Sequence, residues 1–168
     1  SAGNVPLCAL FYHRVADQHL NDWSLSNRAF QQQMLWLKRN VELVSLEELQ
    51  RRIASGQNDR VAVAVTFDDG YAENCEQAIP FLIEQEIPVT YFVSLEHIVL
   101  GRPFEHDEAL GVPLAVNTPE QIRQMADAGI EIGAHSRTHC DFGAIRDAKT
   151  LDDELISATN ELAEMIGN

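Results

Sequence analysis

The chain has no long apolar run, no paired-cysteine motif, no internal repeat and few basic residues, and each absence narrows what it can do. A membrane-spanning helix needs about 17–25 consecutive apolar residues, and no such stretch exists in the sequence. Cys8, Cys75 and Cys140 are an odd number, far apart and without a CxxC pair, which argues against a disulfide framework or a cysteine-based zinc site. They read as small, reduced, partly buried residues. Basic residues number 12 against 26 acidic ones, for a net charge of −14. A surface that acidic repels polyanions, so nucleic acid is not expected as a partner. No basic segment followed by an apolar core opens the chain, so no export signal is visible.

What is present suits a globular protein: 168 residues, 45% apolar and 23% charged, enough for one domain with a sizeable core. Residues 1–6 read as a loose end. Leu7 to His13 is a short apolar strand, Ala16 to Leu25 a loop, and Ser26 caps a helix through about Arg39 whose face is Phe30, Met34, Leu35 and Leu37, broadened by Trp36. Val41 to Val44 is a second strand, and Ser45 with Glu48 fits a capping box for a helix over Leu46 to Ala54. Val61 opens a strand in which Val63 and Val65 alternate with Ala62, Ala64 and Thr66, apolar on both faces as in a parallel sheet. A helix from Ala72 to Ile83 follows, with a kink expected at Pro80, then a strand from Ile87 to Val93. Ser94 to Asn117 reads as an irregular excursion rimming the strand ends. Thr118 and Gln121 cap a helix that Gly129 ends, Ile130 to Ala134 is a further strand, and a last helix runs from Thr150 to Gly167. The alternation of strand and helix predicts an α/β fold with parallel strands, open or closed as a barrel.

Two chemical signals stand at strand exits, where α/β proteins gather catalytic groups. The Val61 strand ends in Asp68, Asp69 and Gly70, two adjacent acids whose side chains should diverge, one toward a metal and the other toward its water or a substrate. The Ile130 strand opens into His135 and His139, a spacing that presents two imidazoles on one side of a turn. Either signal alone fits bland uses, an Asp-Gly turn or surface histidines. Together they favour a divalent cation, which lowers the pKa of bound water and polarises a carbonyl. Gly70 supplies backbone freedom, Tyr71 packs or rims a cleft, and Ser136 braces the loop through its hydroxyl. His13, near another strand exit, either bonds within the core or faces the same site. Arg137 points away toward the surface, and His97, His106 and the Glu105 to Asp107 cluster are expected in solvent.

TFDDG (Thr66 to Gly70) followed by HSRTH (His135 to His139), with FYHRV and TYFV elsewhere, resembles the polysaccharide deacetylases, the NodB-homology or carbohydrate esterase family 4 group. The resemblance implies an irregular (β/α) barrel and hydrolysis of acetyl groups on an amino-sugar oligomer or polymer. It implies a divalent metal, zinc foremost with Co2+ or Ni2+ as substitutes, held by Asp69, His135 and His139. Asp68 would then be the general base that takes a proton from metal-bound water.

The family's later motifs, an arginine segment and a histidine acting as general acid, have no counterpart before Asn168. The expected strands, Leu7 to His13, Val41 to Val44, the Val61 strand, Ile87 to Val93 and Ile130 to Ala134, are too few to close a barrel. The expectation is therefore the N-terminal part of a NodB-like domain over residues 1–168, a barrel truncated at its C-terminal end. Two other readings stand beside it: a non-catalytic carbohydrate-binding or assembly module, and a hydrolase of a small non-sugar amide. The compartment is open, since unpaired cysteines suit a reducing one and the substrate class suits the cell envelope.

Overall fold

The computed structural model describes residues 5–167, so most of the expected loose end over residues 1–6 lies outside the described part. The described residues form two compact units, one from 5–67 and 74–90, the other from 68–73 and 91–167. Among them, no helix is long and apolar enough to cross a membrane.

In the first unit the strands are β1 (Leu7–Tyr12), β2 (Arg14–Val15), β3 (Ser24–Leu25), β4 (Glu42–Leu43) and β5 (Ala62–Phe67). Strand β5 pairs in parallel with β1, from Leu7 against Ala62 to Tyr12 against Phe67, and with β4 on its other side. All six β5 residues are buried, which is why its sequence is apolar on both faces. Helix α1 (Asn27–Asn40) starts where Ser26 accepts the Ala29 amide and buries Phe30, Met34 and Leu37. Trp36 does not broaden that face; it is 59% exposed, because about 100° per residue carries it to the side of the helix away from the Phe30, Met34 and Leu37 stripe. Rings of Phe30, Tyr12 and Phe67 meet at 5.2–5.6 Å, while Val44, Leu49, Ala62 and Ala64 form a neighbouring apolar cluster.

Helix α2 (Leu46–Ser55) has only half of its expected capping box: Ser45 accepts the Glu48 amide, but the Glu48 carboxylate turns to Arg51 and Arg52. Charge-assisted bonds outcompete the neutral amide. The kinked helix expected at Pro80 is instead a 3-10 turn (Ala72–Cys75) and a separate helix α3 (Ala78–Glu84). Pro80 lies in the first turn of α3, where its missing N–H costs nothing. Cys8 is exposed in β1 rather than partly buried, and none of Cys8, Cys75 and Cys140 is in a disulfide.

Strand β6 (Val89–Val93) carries the chain from the first unit into the second. There the expected irregular excursion contains two short helices, α4 (Leu95–Leu100) and α5 (Glu105–Ala109). Helix α6 (Pro119–Asp127) has the full capping box of Thr118 and Gln121 with Pro119 at its first position. Strand β7 (Glu131–Ala134) follows. The final helix starts earlier than expected, as α7 (Ala148–Asp152), because Asp147 accepts the amide and hydroxyl of Thr150. A π-turn over Asp153–Ser157 joins it to α8 (Ala158–Ile166), and Gly167 ends the helix at φ +83°. Along it Ala158 and Leu162 are buried, but Leu151 and Leu155 are each 40% exposed and Glu154 is buried in their place.

Candidate functional site

Asp69 leaves β5 with a left-handed backbone, φ +75°, and next to it Gly70 sits at φ +100°. A Cβ on Gly70 would lie 3.0 Å from Ile98 Cδ1 and 3.1 Å from Val93 Cγ1, so only glycine lets the chain pass this close to its neighbours. The turn is sewn down on both sides. The Asn117 amide donates to the Gly70 carbonyl at 2.8 Å, the Ala72 amide to the Ala115 carbonyl at 3.0 Å, and the Tyr91 hydroxyl to the Tyr71 carbonyl at 3.0 Å. Such strain in non-glycine residues collects at functional sites; here Asp69, Ser136 (φ +61°) and His139 (φ +58°) all adopt it.

The histidine loop begins at the end of β7, where the His135 amide donates to the Val93 carbonyl at 2.8 Å. Ser94, fully buried, ties the two segments together: its amide donates to the Asp69 carbonyl at 3.2 Å and its hydroxyl to the His135 carbonyl at 3.0 Å. The Ser136 hydroxyl accepts the His139 amide at 2.9 Å, closing a tight turn between the two histidines.

The outcome is convergence. Oδ1 of Asp69 lies 3.5 Å from Nε2 of His135 and 3.2 Å from Nε2 of His139, and ligand atoms of the three residues fall within 4.8 Å of one another. A tetrahedral site with metal–donor bonds of roughly 2.0–2.2 Å places its donors about 3.3 Å apart. The two histidine–carboxylate separations, 3.5 and 3.2 Å, are close to that spacing, so the donor set suits a divalent cation. Asp69 is 2% exposed, whereas the side chains of His135 and His139 are 38% and 36% exposed. The carboxylate is thus fixed from behind and the imidazoles face the open side. The bond to Asp69 raises the His139 pKa above the ordinary imidazole value against the opposing effect of burial, with the charges of Asp69, Glu105 and Asp68 adding to the rise. Asp68 itself is half-buried beside Asp69 and outside the converging trio.

His13 belongs to the first unit, where its carbonyl accepts from Asn74 at 2.9 Å and its ring packs 4.7 Å from that of Trp23. Tyr71 is in the site's own unit; its hydroxyl donates to Asp107 Oδ2 at 3.0 Å and meets His106 Nε2 at 3.0 Å. The expectation of solvent for His97 and Asp107 is overturned, since they are 6% and 1% exposed. His97 bonds the Arg102 carbonyl at 2.9 Å and stacks on Phe104 at 4.1 Å, and Phe104 also meets His139 edge-on at 5.3 Å. Short helices built from α4 and α5 bury these groups, and their few-residue periodicity was too brief to register in the sequence. Arg137 pairs with the exposed acids Asp153 at 3.1 Å and Glu161 at 2.7 Å.

Residues 55–168 match the family described as polysaccharide deacetylase. The protein YxkH of Bacillus subtilis (strain 168) is 26% identical over 138 residues, covering 81% of this chain and 44% of that protein. The poly-beta-1,6-N-acetyl-D-glucosamine N-deacetylase of Staphylococcus aureus (strain MSSA476) is 28% identical over 105 residues, covering 54% of this chain and 36% of that protein. The chain therefore spans less than half the length of these relatives. Among solved structures, IcaB from Ammonifex degensii superposes with a TM-score of 0.80 at 26% identity, over 99% of this chain and 71% of that one. The Streptococcus pyogenes deacetylase PplD, in complex with acetate, gives 0.78 at 19% identity over 100% and 71%, a likeness of fold alone. The expected α/β fold of the deacetylase type holds.

Proposed function

We propose that this chain, which belongs to the polysaccharide deacetylase family, carries the metal centre of a hydrolase that removes acetyl groups from an amino-sugar oligomer or polymer. The observation that supports this most directly is the convergence of Asp69, His135 and His139 on one point. Two imidazoles and one carboxylate suit zinc, with cobalt or nickel as substitutes. A divalent cation held there supplies an acidified water and a positive charge for the acetyl oxygen.

The chain's own residues do the rest. Asp68, adjacent to the trio and outside it, accepts the proton of the attacking water as general base. Water adds to the acetyl carbonyl, the nitrogen takes up a proton in exchange for the one that Asp68 removed from the water, the C–N bond breaks, and acetate and a free amine leave. Asp69 fixes the orientation of both imidazoles from its buried position, and the half-exposed imidazole edges leave an approach for a chain-like substrate. Binding of acetylated amino sugar, as in the substrate named for the Staphylococcus aureus relative, follows from the family and not from the trio.

Elemental analysis of the purified protein should give about one divalent metal per chain, and the loaded protein should release acetate from oligomers of N-acetylglucosamine. Absence of metal sinks the proposal. Oligomer binding without acetate supports a carbohydrate-binding module instead, and release from small non-sugar amides alone moves the substrate class.

A further inference from the structure

Glu154 is a carboxylate only 6% exposed, in a helix sixteen residues past Thr138 of the histidine loop, and nothing in the chemistry above uses it. Its carboxylate contacts fall on that loop and on Cys140 just after it. Oε2 accepts the amides of Arg137 at 3.0 Å and Thr138 at 2.9 Å, and Oε1 accepts the Thr138 hydroxyl at 2.7 Å. The helix is deformed where Glu154 stands. In the π-turn Asp153–Ser157 the Ala158 amide bonds to the carbonyls of Asp153 and Leu155 and skips that of Glu154. The Glu154 carbonyl so released accepts the Arg137 amide at 3.1 Å. Burial alone would raise the Glu154 pKa; the Thr138 amide and hydroxyl, the Cys140 thiol and the Arg137 amide outweigh it and hold the carboxyl below the usual range.

A π-turn gives up regular helix bonding and recurs at functional sites, and outer groups that orient metal ligands affect metal affinity strongly. We propose that Glu154 is the positioning residue of the metal centre. Its carboxylate and its π-released carbonyl grip residues 137 and 138, the two that separate the left-handed Ser136 from the left-handed His139. With those amides held, the His139 imidazole is presented to Asp69; without them the turn is free to relax toward ordinary backbone angles. The grip on Arg137 uses its backbone amide alone, while its side chain turns outward to pair with Asp153 and Glu161 on either side of Glu154.

This inference rests on the metal-centre reading, and the test separates the two. Affinity for Co2+ and the cobalt absorption spectrum are measured for the wild type, Glu154→Gln and Arg137→Ala, with thermal unfolding of each metal-free protein recorded alongside. Glu154→Gln keeps the size but leaves one neutral oxygen to accept the two backbone amides in place of a charged carboxylate. Its affinity is expected to fall about 10–100-fold, with the cobalt bands shifted or weakened, while Arg137→Ala stays within about threefold because the amides remain held. A Glu154→Gln protein of wild-type affinity and spectrum overturns the proposal even if its unfolding temperature drops, since that is a structural role only. Wild type that binds no cobalt overturns the metal-centre reading itself. Should Glu154→Gln fail to fold, Thr138→Val, which deletes one donor only, replaces it; a weakening of a few-fold supports the proposal and an unchanged affinity and spectrum overturn it.

Discussion

Nε2 of His139 stands 3.2 Å from Oδ1 of Asp69, a carboxylate with almost no exposure to water. In the metal-free protein this contact raises the His139 pKa above its unfolded value. Between those two values the folded state holds more protons than the unfolded one, so stability falls as pH rises. The contribution is fully present below about pH 6.5 and is lost as pH climbs through the raised folded value. Urea midpoints of stripped protein from mildly acidic to mildly alkaline pH should show that decline. In Asp69→Asn the decline should flatten.

Metal loading depends on the same trio. Asp69→Ala and His139→Ala, each removing one of three converging donors, should take metal content from about one per chain to near zero. Elemental analysis after dialysis against trace metal checks it, and unchanged content in both variants would remove these residues from the ligand set.

Asp68→Asn should behave differently. Metal content should persist while acetate release falls by about 10²–10⁴-fold, the usual loss for a general base. Metal lost together with activity would make Asp68 a ligand instead.

Gly70 sits at φ +100°, where a side chain is strained, and a Cβ there would crowd Ile98 and Val93 at 3.0 and 3.1 Å. Gly70→Ala should cost at least about 1–3 kcal/mol, read as a lower denaturation midpoint, and should also weaken metal binding because the displaced turn carries Asp69.

The buried Asp107 accepts the Tyr71 hydroxyl at 3.0 Å. Tyr71→Phe leaves that oxygen short of a donor and should destabilise the protein by about 1–3 kcal/mol, measured by chemical denaturation. A change near zero would mean that water or His106 replaces the donor at no cost.

Much of this was legible in the sequence because it is local. Ser26, Ser45 and Thr118 cap helices through amides three positions on, and such caps depend on a handful of neighbouring residues. The all-apolar β5 and the pairing of two acids with two histidines at strand exits are likewise written in short stretches. Pro80 shows the limit: one proline fits both a kinked long helix and the first turn of a short one, and the choice depends on packing around α3 rather than on residues beside it.

The sequence alone was enough for the strand–helix order, for the strand exits that bear carboxylates and imidazoles, and for the motif pair shared with the deacetylases. Folding in three dimensions settled which oxygen meets which nitrogen. Adjacent acids are equivalent in a string of letters; Asp69 is the one against the imidazoles because its left-handed backbone is held by Ser94 and by the close passage at Gly70. Glu154 and Asp107 looked like two more surface acids in a chain of net charge −14. Their burial rests on donors from Arg137, Thr138 and Tyr71, at least sixteen positions away. A buried carboxylate is tolerable only where such donors arrive, and no periodicity or local propensity records their arrival.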